Sequence, residues 1–246
     1  MTVPQAGLLD TTSLFILIAV FLGCFTQSLT GFGVALVMMA VLPSLVGLKV
    51  ATPLVALTAI VLEILMLIRY RSALRFKSIL GLLVSSLIAV PAGVFYFRRL
   101  DEGIALFILG FVITAYALYA LIGFRLPALS HPAWAWGFGF TGGLLGGAYN
   151  TSGPPVVVYG NCRRWSPQEF KSNLSGYFLA NSVMVVSTHW LGGSFTPQVT
   201  SHFLLALPAL FLGFLLGQGM DKWLNPELFR RIVLVFLVVL GVRLMM

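Results

Sequence analysis

The sequence predicts an all-α polytopic membrane protein of about eight membrane segments in two inverted repeats, each a re-entrant or broken hairpin plus three transmembrane helices. Three observations predict it. Of 246 residues, 59% are hydrophobic and only 9% charged, which leaves a soluble domain too little polar surface to stay in water. Apolar runs of membrane-spanning length recur along the whole chain. Two runs are interrupted in the same manner, at Thr30-Gly31-Phe32-Gly33 and at Asn150-Thr151-Ser152-Gly153-Pro154-Pro155, breaks that must be sheltered by protein when they lie in lipid.

The first element, 12–46, is the first broken segment. The residues before it include Asp10 but no Lys or Arg, so they lack the basic region of a cleavable signal peptide, and this segment is expected to stay in the mature protein. Full helices are expected at 50–68, 78–97 and 103–122. A second broken segment, 133–160, then precedes helices at 172–191, 202–220 and 228–246. Gly31 and Gly153 are separated by the same interval as Lys49 and Lys171, so the order of broken segment, lysine and three helices runs twice. It divides the chain into an N-terminal repeat, 1–128, and a C-terminal repeat, 129–246.

Lys and Arg in short loops favour the cytoplasm. If both broken segments cross completely, most basic residues fall outside. If each dips in and returns, the inside collects Arg69, Arg71, Arg75, Lys77, Arg125, Arg163, Arg164, Lys171, Lys222, Arg230 and Arg231. Only Lys49, Arg98, Arg99 and Arg243 then remain outside. The count thus argues for the second hairpin and places the Arg69–Lys77 and Arg163–Lys171 loops in the cytoplasm, with the protein multi-pass in the inner membrane. The first hairpin follows from symmetry, and a spanning first segment stays open. A hairpin plus three crossings is odd, so the second repeat enters upside down.

The net charge of +8 comes from these loop clusters, which argues against nucleic acid. Cys24 and Cys162 have no zinc or redox spacing and read as free thiols. The histidines His131, His189 and His202 are scattered, so no metal is expected. Without a phosphate-binding loop the chain offers no site for ATP, and no cofactor is expected. Its partners are the lipid bilayer and a small solute driven by a gradient; the oligomeric state is not legible.

A hairpin tip brings a helix N-terminus, with unpaired N–H groups and about half a positive charge, to the membrane interior, where it can hold an anion. The first tip offers Gln27, Ser28, Thr30, Gly31 and Gly33; the second offers Asn150, Thr151, Ser152 and Gly153. Pro154 suits the first turn of the helix that follows. The alternative is that these small residues only let helices pack closely. Lys49 and Lys171 either draw an anion to the mouth of the path or snorkel to headgroups. Asn173 and Asn181, eight apart on one helix, share a face and either line the path or join helices. Glu63, the acidic side chain well inside an apolar run, is a proton-coupling candidate; otherwise it pairs with a basic residue of the following loop.

Gly23 to Gly33 leading into Lys49-Val50-Ala51-Thr52-Pro53, Pro91-Ala92-Gly93, and Gly153-Pro154-Pro155-Val156-Val157-Val158-Tyr159 together resemble the TauE/SafE family of sulfite exporters, also described as anion permeases. The stretch from Ser166-Pro167 through Phe170-Lys171, Asn173 and Tyr177-Phe178 is similar to that family's second half, and adds Tyr177 to the substrate-binding candidates. The resemblance implies a secondary membrane transporter of a small anion such as sulfite, a sulfonate or a related organic acid, and no enzyme activity. An anion channel is the near alternative. An integral-membrane enzyme would need clustered carboxylates, histidines or an activated serine, which the sequence lacks.

Overall fold

A computed structural model describes residues 10–97, 99–123, 127–220 and 225–246. Among them the chain is helical, with no strand. The helices are α1 (Thr11–Thr30), α2 (Val34–Val46), α3 (Leu48–Tyr70), α4 (Phe76–Phe97), α5 (Glu102–Ile122), α6 (Trp134–Tyr149), α7 (Gly153–Cys162), α8 (Pro167–Leu191), α9 (Pro197–Gly219) and α10 (Pro226–Leu244). The breaks fall at the two glycine- and proline-rich sites. Among the described residues, five segments are long and apolar enough to cross a membrane: Thr11–Thr30, Leu48–Ala73, Phe76–Tyr96, Glu102–Ile122 and Pro197–Gly219. The helices α8 and α10 have the length but also more polar cargo, Asn173, Asn181 and His189 on one and Glu227, Arg230, Arg231 and Arg243 on the other.

Local chemistry sets the ends. Asp10 caps α1 by accepting from the Ser13 N–H at 2.8 Å, and Thr196 caps α9 in the same way through Val199. Ser166 and Glu169 form a capping box that starts α8 at Pro167, five residues earlier than the apolar pattern indicates. Lys171 therefore sits inside the helix. Likewise α3 begins at Leu48, which puts Lys49 in its first turn.

Each broken segment folds back on itself. Gly23 of α1 faces Val34 and Met38 of α2, and Gly142 and Gly146 of α6 face Val156 and Ser152. Each first arm then packs on a helix of the other half. Gly213 and Gly217 of α9 receive α1 at Phe21, Cys24, Phe25 and Ser28, in ascending order along both helices, so this pair is parallel. Gly139, Gly143 and Gly147 of α6, four residues apart on one face, receive Leu82, Ser86 and Val90 of α4, again in parallel. Small residues let these backbones touch.

Two further pairs are antiparallel. Gly110 of α5 meets Gly241 and Met245 of α10, and Thr114 meets Gly241. In the centre α3 runs against α8, with Ala56 close to Val185 at one end and Tyr70 close to Lys171 at the other. Large apolar side chains face outward on α1, α4, α5, α9 and α10, among them Leu14, Ile88, Phe107, Phe111, Leu215 and Phe236. Such an apolar exterior suits lipid.

The two basic loops lie at one end of the molecule. Arg75 pairs with Glu169, its backbone N–H donates to Asn173 Oδ1 at 2.9 Å, and the Lys171 ammonium lies 5.4 Å from the Tyr70 ring centre. At the opposite end, Glu102 of α5 accepts from the Leu48 N–H at 3.2 Å.

Candidate functional site

The first tip is built around Gln27, in the last turn of α1. Gly31 adopts a left-handed conformation (φ 91°) that ends α1, and Gly33 (φ 122°) turns the chain into α2. Gln27 then spans the break: its Oε1 accepts the Val34 N–H at 3.0 Å, so a side chain from α1 caps α2. Its Nε2 donates to Oε1 of Glu63 on α3. Both side chains are buried, each 2% exposed. Glu63 Oε2 has no hydrogen-bond partner among the described residues.

The second tip is built around Asn150. It takes the left-handed conformation (φ 57°), which asparagine tolerates better than most residues, and its N–H caps α6 at the Gly146 carbonyl, 2.8 Å away. Its side-chain Nδ2 donates to the Thr52 carbonyl at 2.9 Å, bracing the tip against α3. Thr151 follows, buried, with an Oγ1 that has no partner among the described residues. Ser152 and Gly153 lead into α7, whose early Pro154 and Pro155 carry no N–H.

The tips converge. Gln27, Gly33, Glu63, Asn150, Thr151, Ser152, Gly153 and Asn181 line one cavity of about 30 Å³, along with Phe178 and Ser182. Two enclosed polar atoms without partners, Glu63 Oε2 and Thr151 Oγ1, belong to residues of this wall. Buried polar atoms seldom stay unpaired, so the cavity is equipped to receive a polar guest. Its size suits about one or two waters, and a sulfonate needs the walls to part.

Behind the cavity a small network sets Asn181. Tyr177 OH donates to Ser86 Oγ at 2.9 Å, Ser86 Oγ donates to Asn181 Oδ1 at 2.6 Å, and Asn181 Nδ2 donates to the Tyr177 carbonyl at 3.1 Å. Tyr177 thus stands behind the wall rather than in it.

The other sequence candidates lie apart. Ser28 packs against Gly217 of α9. Thr30 closes its turn by bonding the Thr26 and Phe32 carbonyls, and Gly31 abuts the Lys171 stem. Lys171 lines a larger cavity of about 560 Å³, and Lys49 is exposed at the opposite end. Asn173, two turns from Asn181, holds the backbone of Arg75 instead. Glu63 bonds Gln27 from α1 rather than a basic residue of the loop after α3. Sequence reasoning missed Ser86, Ser182 and Phe178; the only signal for Phe178 was its place beside Tyr177.

A family model described as sulfite exporter TauE/SafE matches residues 15–244. Similar curated proteins include the "Probable sulfite/organosulfonate exporter TauE" of Cupriavidus necator, 26% identical with 91% of this chain and 90% of that protein covered. Another is the "Probable inner membrane transporter protein TsaS" of Comamonas testosteroni, 25% identical over 69% of this chain and 72% of that protein. No solved structure matches the chain significantly.

Proposed function

Since the chain belongs to the sulfite exporter TauE/SafE family, we propose that it is a secondary transporter of a small oxyanion, sulfite or a sulfonate, held between its two hairpin tips. The observation that carries the reading is the shared cavity, into which both breaks converge with the unpartnered oxygens of Glu63 and Thr151 in its wall. The N-termini of α2 and α7 lend positive partial charge through the N–H groups of Ala35, Leu36 and Gly153, since Gln27 caps Val34 and Pro154 and Pro155 have none, and the Thr151 hydroxyl and the Asn181 amide add donors without fixed charge.

Glu63 decides how the anion is held. A carboxylate and an oxyanion a few ångströms apart in a low-dielectric cavity repel strongly, so the anion binds with Glu63 protonated. Gln27 already donates to Oε1, so the proton belongs on Oε2, where it donates to the anion. Anion and proton therefore travel together, in the direction their summed gradients dictate.

The halves 1–128 and 129–246 are related in this reading by an axis in the membrane plane. Reciprocal packing supports it: α1 on α9 matches α6 on α4, both parallel, while the self-matching pairs α3 with α8 and α5 with α10 are antiparallel. Rocking of one half on the other exposes the tips to alternate sides. The end bearing both basic loops faces the cytoplasm by the positive-inside bias, in the inner membrane.

Proteoliposomes holding the purified protein test this with labelled sulfite, sulfate and methanesulfonate, with and without a pH gradient. Saturable movement of one anion, enhanced by the gradient, is expected. Current that flows without saturation or proton coupling would identify a channel instead, and movement of none of the three would overturn the substrate class.

A further inference from the structure

We infer that the protein carries a second anion site, in a vestibule at the end of the molecule that bears both basic loops, centred on the guanidinium of Arg230. The inference rests on the reading of the protein as an anion transporter, and extends it to a binding step outside the central cavity.

Two cavities of about 560 and 580 Å³ open at this end and share Asn161, Trp165, Glu227 and Arg230, so they form one continuous space. That is ample for a hydrated sulfonate. Arg230 and Arg231 sit side by side early in α10 yet differ in placement. Arg231 is exposed, as an arginine near a membrane surface ordinarily is, whereas Arg230 is half-buried in the vestibule wall. Its Nε is fully enclosed and has no hydrogen-bond partner among the described residues. An enclosed guanidinium N–H without an acceptor is costly, and a planar fork of donors suits two oxygens of one oxyanion.

The surroundings favour an anion too. Lys171 lines one arm of the space and Arg164 the other, against one carboxylate among the described residues, that of Glu227. The vestibule also sits on the route inward. Phe32 lines it, edge-on to Tyr116 and Phe170 at 6.1 and 6.4 Å, and the next residue, Gly33, lines the central cavity. An anion held at Arg230 is thus one residue of the hairpin tip away from the central site.

Trp165 lines the vestibule and, among the described residues, no tryptophan lines the central cavity, so Trp165 emission separates the two sites. With the other tryptophans replaced by Phe, titration with methanesulfonate at constant ionic strength should change Trp165 emission saturably. Arg230→Gln should weaken that response about tenfold or more, the loss of a charge-assisted hydrogen bond, and Arg230→Lys should restore part of it. Glu227→Gln should tighten it by removing the opposing charge. Thr151→Val should leave it unchanged while transport falls. The same Arg230→Gln substitution in the otherwise native chain should raise the transport KM with little change in kcat. An unchanged titration and an unchanged KM in Arg230→Gln, in a protein that still transports the anion, would overturn the vestibular site and leave the central reading intact. Absence of both transport and any saturable response would overturn the two together.

Discussion

Gln27 and Glu63, on α1 and α3, share a buried hydrogen bond in which the Gln27 amide donates to the Glu63 carboxyl while its own carbonyl caps the first N–H of α2. One side chain therefore ties the fold of the first hairpin to an acidic group in the central cavity. The orientation of the amide is dictated from both sides, and it leaves Glu63 Oε2 as the atom that meets a guest.

Glu63→Gln tests this coupling. In the native protein, rising pH removes the Glu63 proton, the resulting charge repels the anion, and transport should fall. The variant should transport with a flat pH profile, measured as initial rates in proteoliposomes. A variant that keeps the native pH dependence would place the coupling proton elsewhere.

Thr151→Val removes an oxygen that makes no hydrogen bond among the described residues and keeps the side-chain volume. Thermal stability in detergent should therefore be unchanged or slightly higher, while the KM for the anion rises about tenfold. Gly153→Ala is the companion, since a Cβ there would meet nothing nearer than Phe178 at 3.8 Å, so lost transport would report on the approach of the ligand.

Gly143→Val should damage the α4–α6 contact. A Cβ at Gly143 would lie 2.7 Å from Ser86 Cα, which forces the helices apart at a cost of about 1–3 kcal/mol. Gly137→Ala, one turn or more away and facing open space, is the control and should be neutral. Melting of the purified variants, followed by loss of the monodisperse peak, distinguishes them.

Ser72→Cys and Gln168→Cys, in the two basic loops, should both be labelled by an impermeant maleimide only from the cytoplasmic side, and Gly193→Cys only from the opposite side. The native Cys24 and Cys162 are buried and free, so background labelling should be low. Labelling of the two loops from different sides would refute the orientation.

Much of this architecture can be read from residue types. Glycine and proline at 31–33 and 150–155 mark both breaks because no other residues punctuate apolar helices so sharply. Glu63 stands out because an acid inside an apolar run needs a reason. What periodicity cannot supply is depth. Asn173 and Asn181 share a face of α8, yet about 12 Å of helix rise separates them, so one holds the Arg75 loop and the other lines the cavity. Nor does it reveal partners distant in sequence. The Gln27–Glu63 bond and the Ser86 bridge between Tyr177 and Asn181 join different helices, and no local pattern encodes them. Start signals can also lie outside the apolar pattern, as the capping box at Ser166 does for α8.

The claim that the anion sits between the hairpin tips is tested most directly by substrate protection. With Cys24 and Cys162 replaced by Ser, single cysteines at Ser152 and at Lys49 are alkylated by a small maleimide in the presence of increasing methanesulfonate. Methanesulfonate should slow alkylation of Ser152→Cys over the concentration range in which it competes for transport, and leave Lys49→Cys unaffected. Unprotected alkylation of Ser152→Cys, at concentrations that saturate transport, would contradict it.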